Sequence, residues 1–224
     1  MMGRTCSTSA ACGSVRAKAS KVLRQTDGVR GWVIVSACLA PAALIGGWSL
    51  AAAEQPSDYD SVRDTISELA ARGATDRWIM TVGLAVLGIC HVATASGLTE
   101  ASRTGRVLLG TGGVATIAVA ALPQPAAGHV PAAAIGFVAL AVWPAASGVP
   151  GRRSARAATV GLLILLGWLA LELRHGQLIG VSERILAGTQ ACWPMVAALT
   201  LTMSQHRPPS RPTAADAHTP PRTN

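Results

Sequence analysis

SDYDSVRDTISELAARGATDR, residues Ser57 to Arg77, is the only long charged stretch inside an otherwise apolar chain. Six carboxylates and three arginines lie between Glu54 and Arg77, while the runs on either side, Gly31 to Ala53 and Trp78 to Leu98, carry none. Within it, Thr65-Ile-Ser-Glu68 has the S/T-x-x-E form of a capping box, in which hydroxyl and carboxylate each accept from the other residue's backbone N–H. Gly73 follows where a residue just past a helix end is expected. The stretch therefore predicts a short helix, about Ile66 to Arg72, in a polar connector between two greasy tracts.

Working outward, apolar runs recur at Gly31–Ala53, Trp78–Leu98, Val107–Leu122, Val130–Ser147, Ala157–Leu171 and Ile185–Met203. About 20 apolar residues in a helix match a hydrocarbon core of about 30 Å. The third and fifth runs are shorter and need flanking residues to complete a crossing. No stretch alternates with the period of a membrane barrel, so helices are the way to satisfy these backbones in lipid. Gly31–Ala53, followed by Glu54, superficially resembles a signal peptide. Its 23 residues exceed a signal core, and a retained helix is favoured.

Composition agrees. Half the residues are hydrophobic, 13% are charged and the formal net charge is +8, with mean hydropathy +0.39. The positive charge lies on tails and short loops without a basic helix or interleaved aromatics, which argues against nucleic acid. With the N-terminus placed in the cytoplasm, the inner segments hold 14 Lys/Arg and the outer ones 5. The positive-inside rule then puts both termini in the cytoplasm and the acidic connector outside. The expected fold is an all-α polytopic transmembrane bundle of six helices, N-in and C-in, with a short extracytoplasmic helix in its first loop. Residues 1–30 read as a disordered basic cytoplasmic tail, 31–203 as the membrane domain and 204–224 as a second disordered cytoplasmic tail. Only Lys18 and Lys21 are lysines, and Ala, Gly and Arg abound, which suggests a bacterial source and hence the plasma membrane.

The five cysteines show no C-x-x-C and no Cys/His ligand spacing, so neither a metal site nor any other cofactor is expected. Gly110-Thr-Gly-Gly113 lacks the preceding strand and following Lys of a phosphate loop. It reads instead as a small-residue surface for close helix packing.

Three segments together resemble a known family. Tyr59-Asp-Ser-Val-Arg-Asp-Thr-Ile-Ser-Glu-Leu69 resembles the first-loop signature of domain-of-unknown-function family 998, bacterial integral membrane proteins. His129-Val-Pro-Ala-Ala-Ala-Ile-Gly-Phe137, after Pro123, is similar to its proline-then-His helix entry. Gly180-Val-Ser-Glu-Arg-Ile185 through Trp193 is similar to its last-helix entry. The resemblance spans about Gly31 to Met203 and implies six helices but no established activity. One departure is Gln124, where the resemblance leads one to expect an acidic residue.

On this topology Asp64, Ser67, Glu68, His129 and Glu183 gather at the outer rim, where carboxylates beside His and Arg suit acid–base chemistry. Arg184, Glu172 and His175 join them as candidate headgroup-binding residues. His91 and Gln190 lie inside spans, where ionisable and polar groups mark functional sites by default; Gln190 is expected to partner His91. Each also has a structural explanation as a cap, an interface anchor or an interhelical hydrogen bond. Neither G-x-S-x-G nor H-E-x-x-H occurs. The sequence thus favours a structural or accessory membrane protein over a lipid- or headgroup-modifying enzyme using the rim, or a small-molecule transporter. Membrane lipids are the expected partners, with a second membrane protein or another copy of the chain left open.

Overall fold

The computed structural model describes residues 29–205, which form seven helices and, among the described residues, no strand. They are α1 Gly31–Ala53, α2 Ile66–Leu69, α3 Trp78–Gly97, α4 Arg103–Ala121, α5 His129–Ser147, α6 Arg152–His175 and α7 Ile179–Gln205. All but α2 are long and apolar enough to cross a membrane, with mean hydropathies between 1.3 and 1.9. This is the six-span helical architecture that the sequence predicts. Cys6, Cys12 and most of the two tails lie outside the described residues. Val29 is buried in the core and α7 extends to Gln205.

The spans close into a ring. α1 packs on α3, α3 on α4, α4 on α5, α5 on α6, α6 on α7, and α7 returns to α1. Large side chains turn outward all round it: Val35 is 65% exposed, Val107 60%, Val130 70% and Ile164 66%. Such a surface would aggregate in water, whereas in lipid it is ordinary. The helices therefore need backbone proximity rather than apolar burial to hold together. At the α3–α4 seam, a Cβ on Gly88 would lie 2.6 Å from the Gly113 carbonyl, and one on Gly113 would lie 2.7 Å from the Gly88 carbonyl. Gly113 belongs to the small-residue surface singled out above.

At one end of the ring Val33, Leu98, Trp143 and Val149 form a buried cluster. There the Ser102 hydroxyl caps α4, accepting from Gly105 N–H at 3.1 Å, and donates to the Ala146 carbonyl of α5 at 2.6 Å. At the other end Ile66 and Leu69 of α2 pack with Leu44, Ala51 and Met80. This second end, the rim below, carries the 54–77 connector, the 122–128 connector and the α6–α7 turn.

Helix ends depart from the apolar runs. α4 starts at Arg103, α6 spans Arg152–His175 and α7 starts at Ile179, each beyond the greasy stretch that predicted it. Hydropathy measures the length in hydrocarbon, and hydrogen bonding continues the helix into the polar boundary. The long Arg152, Arg153 and Arg156 side chains on the first turns of α6 can reach outward from there. α2 is shorter than expected. It stops at Leu69 with Ala70 as its cap, and Gly73 does not take the left-handed conformation that Gly148 and Gly176 take.

Gly113→Leu is expected to lower the thermal midpoint of the detergent-solubilised protein, by the equivalent of about 1–3 kcal/mol for overpacking a close seam. Gly161→Leu on α6, where an added Cβ meets nothing within 4 Å, should leave the midpoint unchanged.

Candidate functional site

The rim is built by backbone groups that α2 and its loop cannot satisfy alone. The expected capping box is present: the Thr65 hydroxyl accepts from Glu68 N–H at 3.1 Å, and the Glu68 carboxylate accepts from Thr65 N–H. The next donor, Ile66 N–H, is satisfied from across the molecule by the buried carboxylate of Glu183 at 2.5 Å. The other Glu183 oxygen lies 3.5 Å from the Ser67 hydroxyl. A four-residue helix is too short to hold itself; α7 holds it.

Arg184 does the complementary work. Its guanidinium donates to the carbonyls of Ser61 at 2.9 Å, Asp64 at 2.8 Å and Gly180 at 3.0 Å, and also to the Tyr59 hydroxyl. The loop crosses α7 at Gly180, where a Cβ would collide with the Ser61 and Asp64 carbonyls. Val181 N–H donates to the Val62 carbonyl at 3.2 Å. Burial pushes the Tyr59 phenol above its ordinary 10.0, opposed by the positive field of Arg184.

The remaining rim candidates are likewise engaged. The Asp64 carboxylate accepts from Asp60 N–H at 2.7 Å. Glu172 accepts from the Trp168 indole at 3.1 Å and from Leu178 N–H at 2.9 Å, closing the α6–α7 turn. His129 is buried; its Nδ1 donates to the Leu122 carbonyl at 2.8 Å while Nε2 has no partner. His175 ends α6, and its side chain lies outside what the structure describes. Gln124 offers Arg72 N–H its carbonyl at 3.2 Å, so a side chain unlike the expected acid leaves that contact intact.

Of the proposed rim set, then, Ser67 and Glu183 come together. Asp64 and Glu68 face their own loop, and His129 faces the end of α4. Below Ser67 and Glu183 lies a cavity of about 60 Å³ inside the ring, whose wall also includes His91, Thr116, Phe137 and Gln190. Gln190 donates to the Phe137 carbonyl at 2.9 Å rather than to His91. His91 is 1% exposed and neither ring nitrogen has a hydrogen-bond partner. Among the described residues no three His, Cys, Asp or Glu side chains are grouped to hold a metal.

Sequence reasoning missed Tyr59, Gly180 and Thr116. The first two matter only through contacts more than a hundred residues away, and a lone Thr in an apolar helix gives no signal.

A family model described as "Protein of unknown function (DUF998)" matches residues 25–200. No curated protein matches, and no solved structure matches.

Tyr59 is the sole tyrosine, so absorbance at alkaline pH reads it alone. Its phenolate should form above pH 10.0. Because the folded value is raised, its contribution to stability is intact below that pH and is lost as pH climbs through the folded value. Arg184→Ala, which strips three donor contacts from the loop, should expose residues 57–77 to limited proteolysis while the spans remain protected.

Proposed function

The chain belongs to the DUF998 family, whose description assigns no activity, and we propose that it serves as a non-enzymatic accessory protein of a bacterial plasma membrane. In this reading both termini lie in the cytoplasm and α2 faces outward. The distribution of arginines supports that orientation, with 14 of the 19 basic residues on the segments assigned to the inside.

One observation carries the accessory reading: the rim's charged groups are taken up in local backbone bonds, and Glu183 and Arg184 fasten the first loop to α7. Glu68, Glu183 and Arg184 all bond backbone groups of residues 59–68. A hydrolase or transferase at this rim would need a base within reach of the Ser67 hydroxyl. Glu183 at 3.5 Å is the nearest candidate, and it already accepts from Ile66 N–H. His129, the other candidate base, is held through Nδ1 to the end of α4, and its Nε2, which has no hydrogen-bond partner, does not reach Ser67.

Two measurements test this. In a cysteine-free background, Asp58→Cys should react with an impermeant maleimide on intact cells, and Arg153→Cys only after permeabilisation; the reverse pattern inverts the topology. For the role, purified wild type and Ser67→Ala should be incubated with membrane lipids and the extracts compared by mass spectrometry. Identical lipid profiles are expected. A product made by the wild type and absent with Ser67→Ala would replace the accessory reading with an enzymatic one.

A further inference from the structure

The cavity inside the ring has a mostly apolar wall with a few polar side chains, of which His91, Thr116 and Gln190 take no part in fastening the loop. Glu183, Ala187 and Gln190 occupy one face of α7, at spacings of four and seven residues, and all three border it. Leu84, Leu87 and His91, at spacings of three and seven, occupy one face of α3 and border it too. At 1.5 Å per residue, Gln190 lies about 10 Å deeper along α7 than Glu183, and His91 about 20 Å from the start of α3. The cavity therefore runs from the rim, under α2, toward the middle of the membrane.

Its size selects its occupant. An engineered apolar cavity that binds benzene is about 150 Å³, whereas a single water needs about 10–15 Å³ of water-occupied volume. At about 60 Å³ the space admits on the order of two to four waters. Its lining also supplies what a water requires, two to four polar partners. The Glu183 carboxylate and Ser67 hydroxyl stand at the top. The Thr116 hydroxyl, which donates to its own helix at 2.8 Å, still has lone pairs to offer. Gln190 is anchored through its amide nitrogen, leaving its oxygen to accept.

His91 provides the independent observation. A buried imidazole with both nitrogens unpaired carries the full desolvation cost of each unsatisfied group. Its chemistry makes it both a donor and an acceptor, one nitrogen for each role in the neutral ring. No side chain or carbonyl meets either nitrogen, and His91 is one of the residues that line the cavity.

We propose that this cavity is a hydration site: a short file of ordered waters, hydrogen-bonded from Glu183 and Ser67 at the rim to Gln190 and His91 within the bundle. It gives an otherwise apolar ring one internal position reachable from the rim without passing through hydrocarbon. His91 is its terminus, and the ligand class is water.

The test uses the full chain in lipid bilayers with ¹⁵N-labelled histidine. The His91 signals are assigned by their loss in His91→Phe, and magnetisation is then transferred from water. The wild type should show water contact at the His91 ring. Ala187→Leu, which places bulk between Glu183 and Gln190, should abolish that contact while the His91 signals persist. Ala133→Leu fills the same cavity from α5 and serves if the first variant does not fold. A dry His91 in the folded wild type overturns the proposal, as does water contact undiminished in a folded cavity-filling variant. A small molecule that co-purifies and is in contact with His91 in place of water overturns it as well.

Discussion

In hydrocarbon there is no solvent to accept an unmade peptide hydrogen bond, and each such group costs several kcal/mol. That constraint governs more than the choice of helix. Hydroxyls inside the spans turn back on carbonyls of their own helix: Ser96 on Ala93, Thr116 on Gly112, Thr189 on Ile185 and Thr200 on Val196. Helices satisfied internally have little left with which to bind one another, so association falls to close backbone approach, as at Gly88 and Gly113. Ser36 and Thr94 are an exception, joining α1 to α3 through a 2.8 Å hydroxyl pair.

The same requirement shapes the rim, where the chain leaves the helices yet remains partly buried. A loop there exposes amides at one place and carbonyls at another. The adjacent pair Glu183-Arg184 answers both: the carboxylate accepts from an amide of α2 and the guanidinium donates to carbonyls of its approach. The two residues are oppositely charged neighbours, but neither is used chiefly to neutralise the other. Charge-assisted bonds to backbone are the stronger kind, which suits a four-residue helix with little cohesion of its own.

Six crossings were legible because apolar length is a one-dimensional property, written directly in the sequence. The capping box was legible because Thr65 and Glu68 are three residues apart. Helix ends were not, since Arg103, Arg152 and Ile179 are helical for hydrogen-bonding reasons that hydropathy does not measure. The docking of the loop on α7 joins residues 116 or more positions apart, and no local pattern encodes such a pairing. Gln190 and His91 were recognisable as polar groups within spans, yet Gln190 took a backbone carbonyl as its partner. Carbonyls occur at every position and leave no mark in a sequence.

The two buried histidines show where chemistry remains available. His129 opens α5, and its Nδ1 satisfies the Leu122 carbonyl at the end of α4, one of the acceptors that every helix leaves without an internal donor, while its Nε2 has no partner. That bond fixes the ring and assigns it structural work. His91 has no such duty: helical hydrogen bonding around it is complete, and its ring adds polarity to a wall otherwise formed largely by Leu, Val and Ala. A leucine there would avoid the desolvation cost entirely. Water entering from the rim, as proposed above, would give this ring the partners that the protein does not supply; His129 Nε2, nearer the rim, is also buried without one.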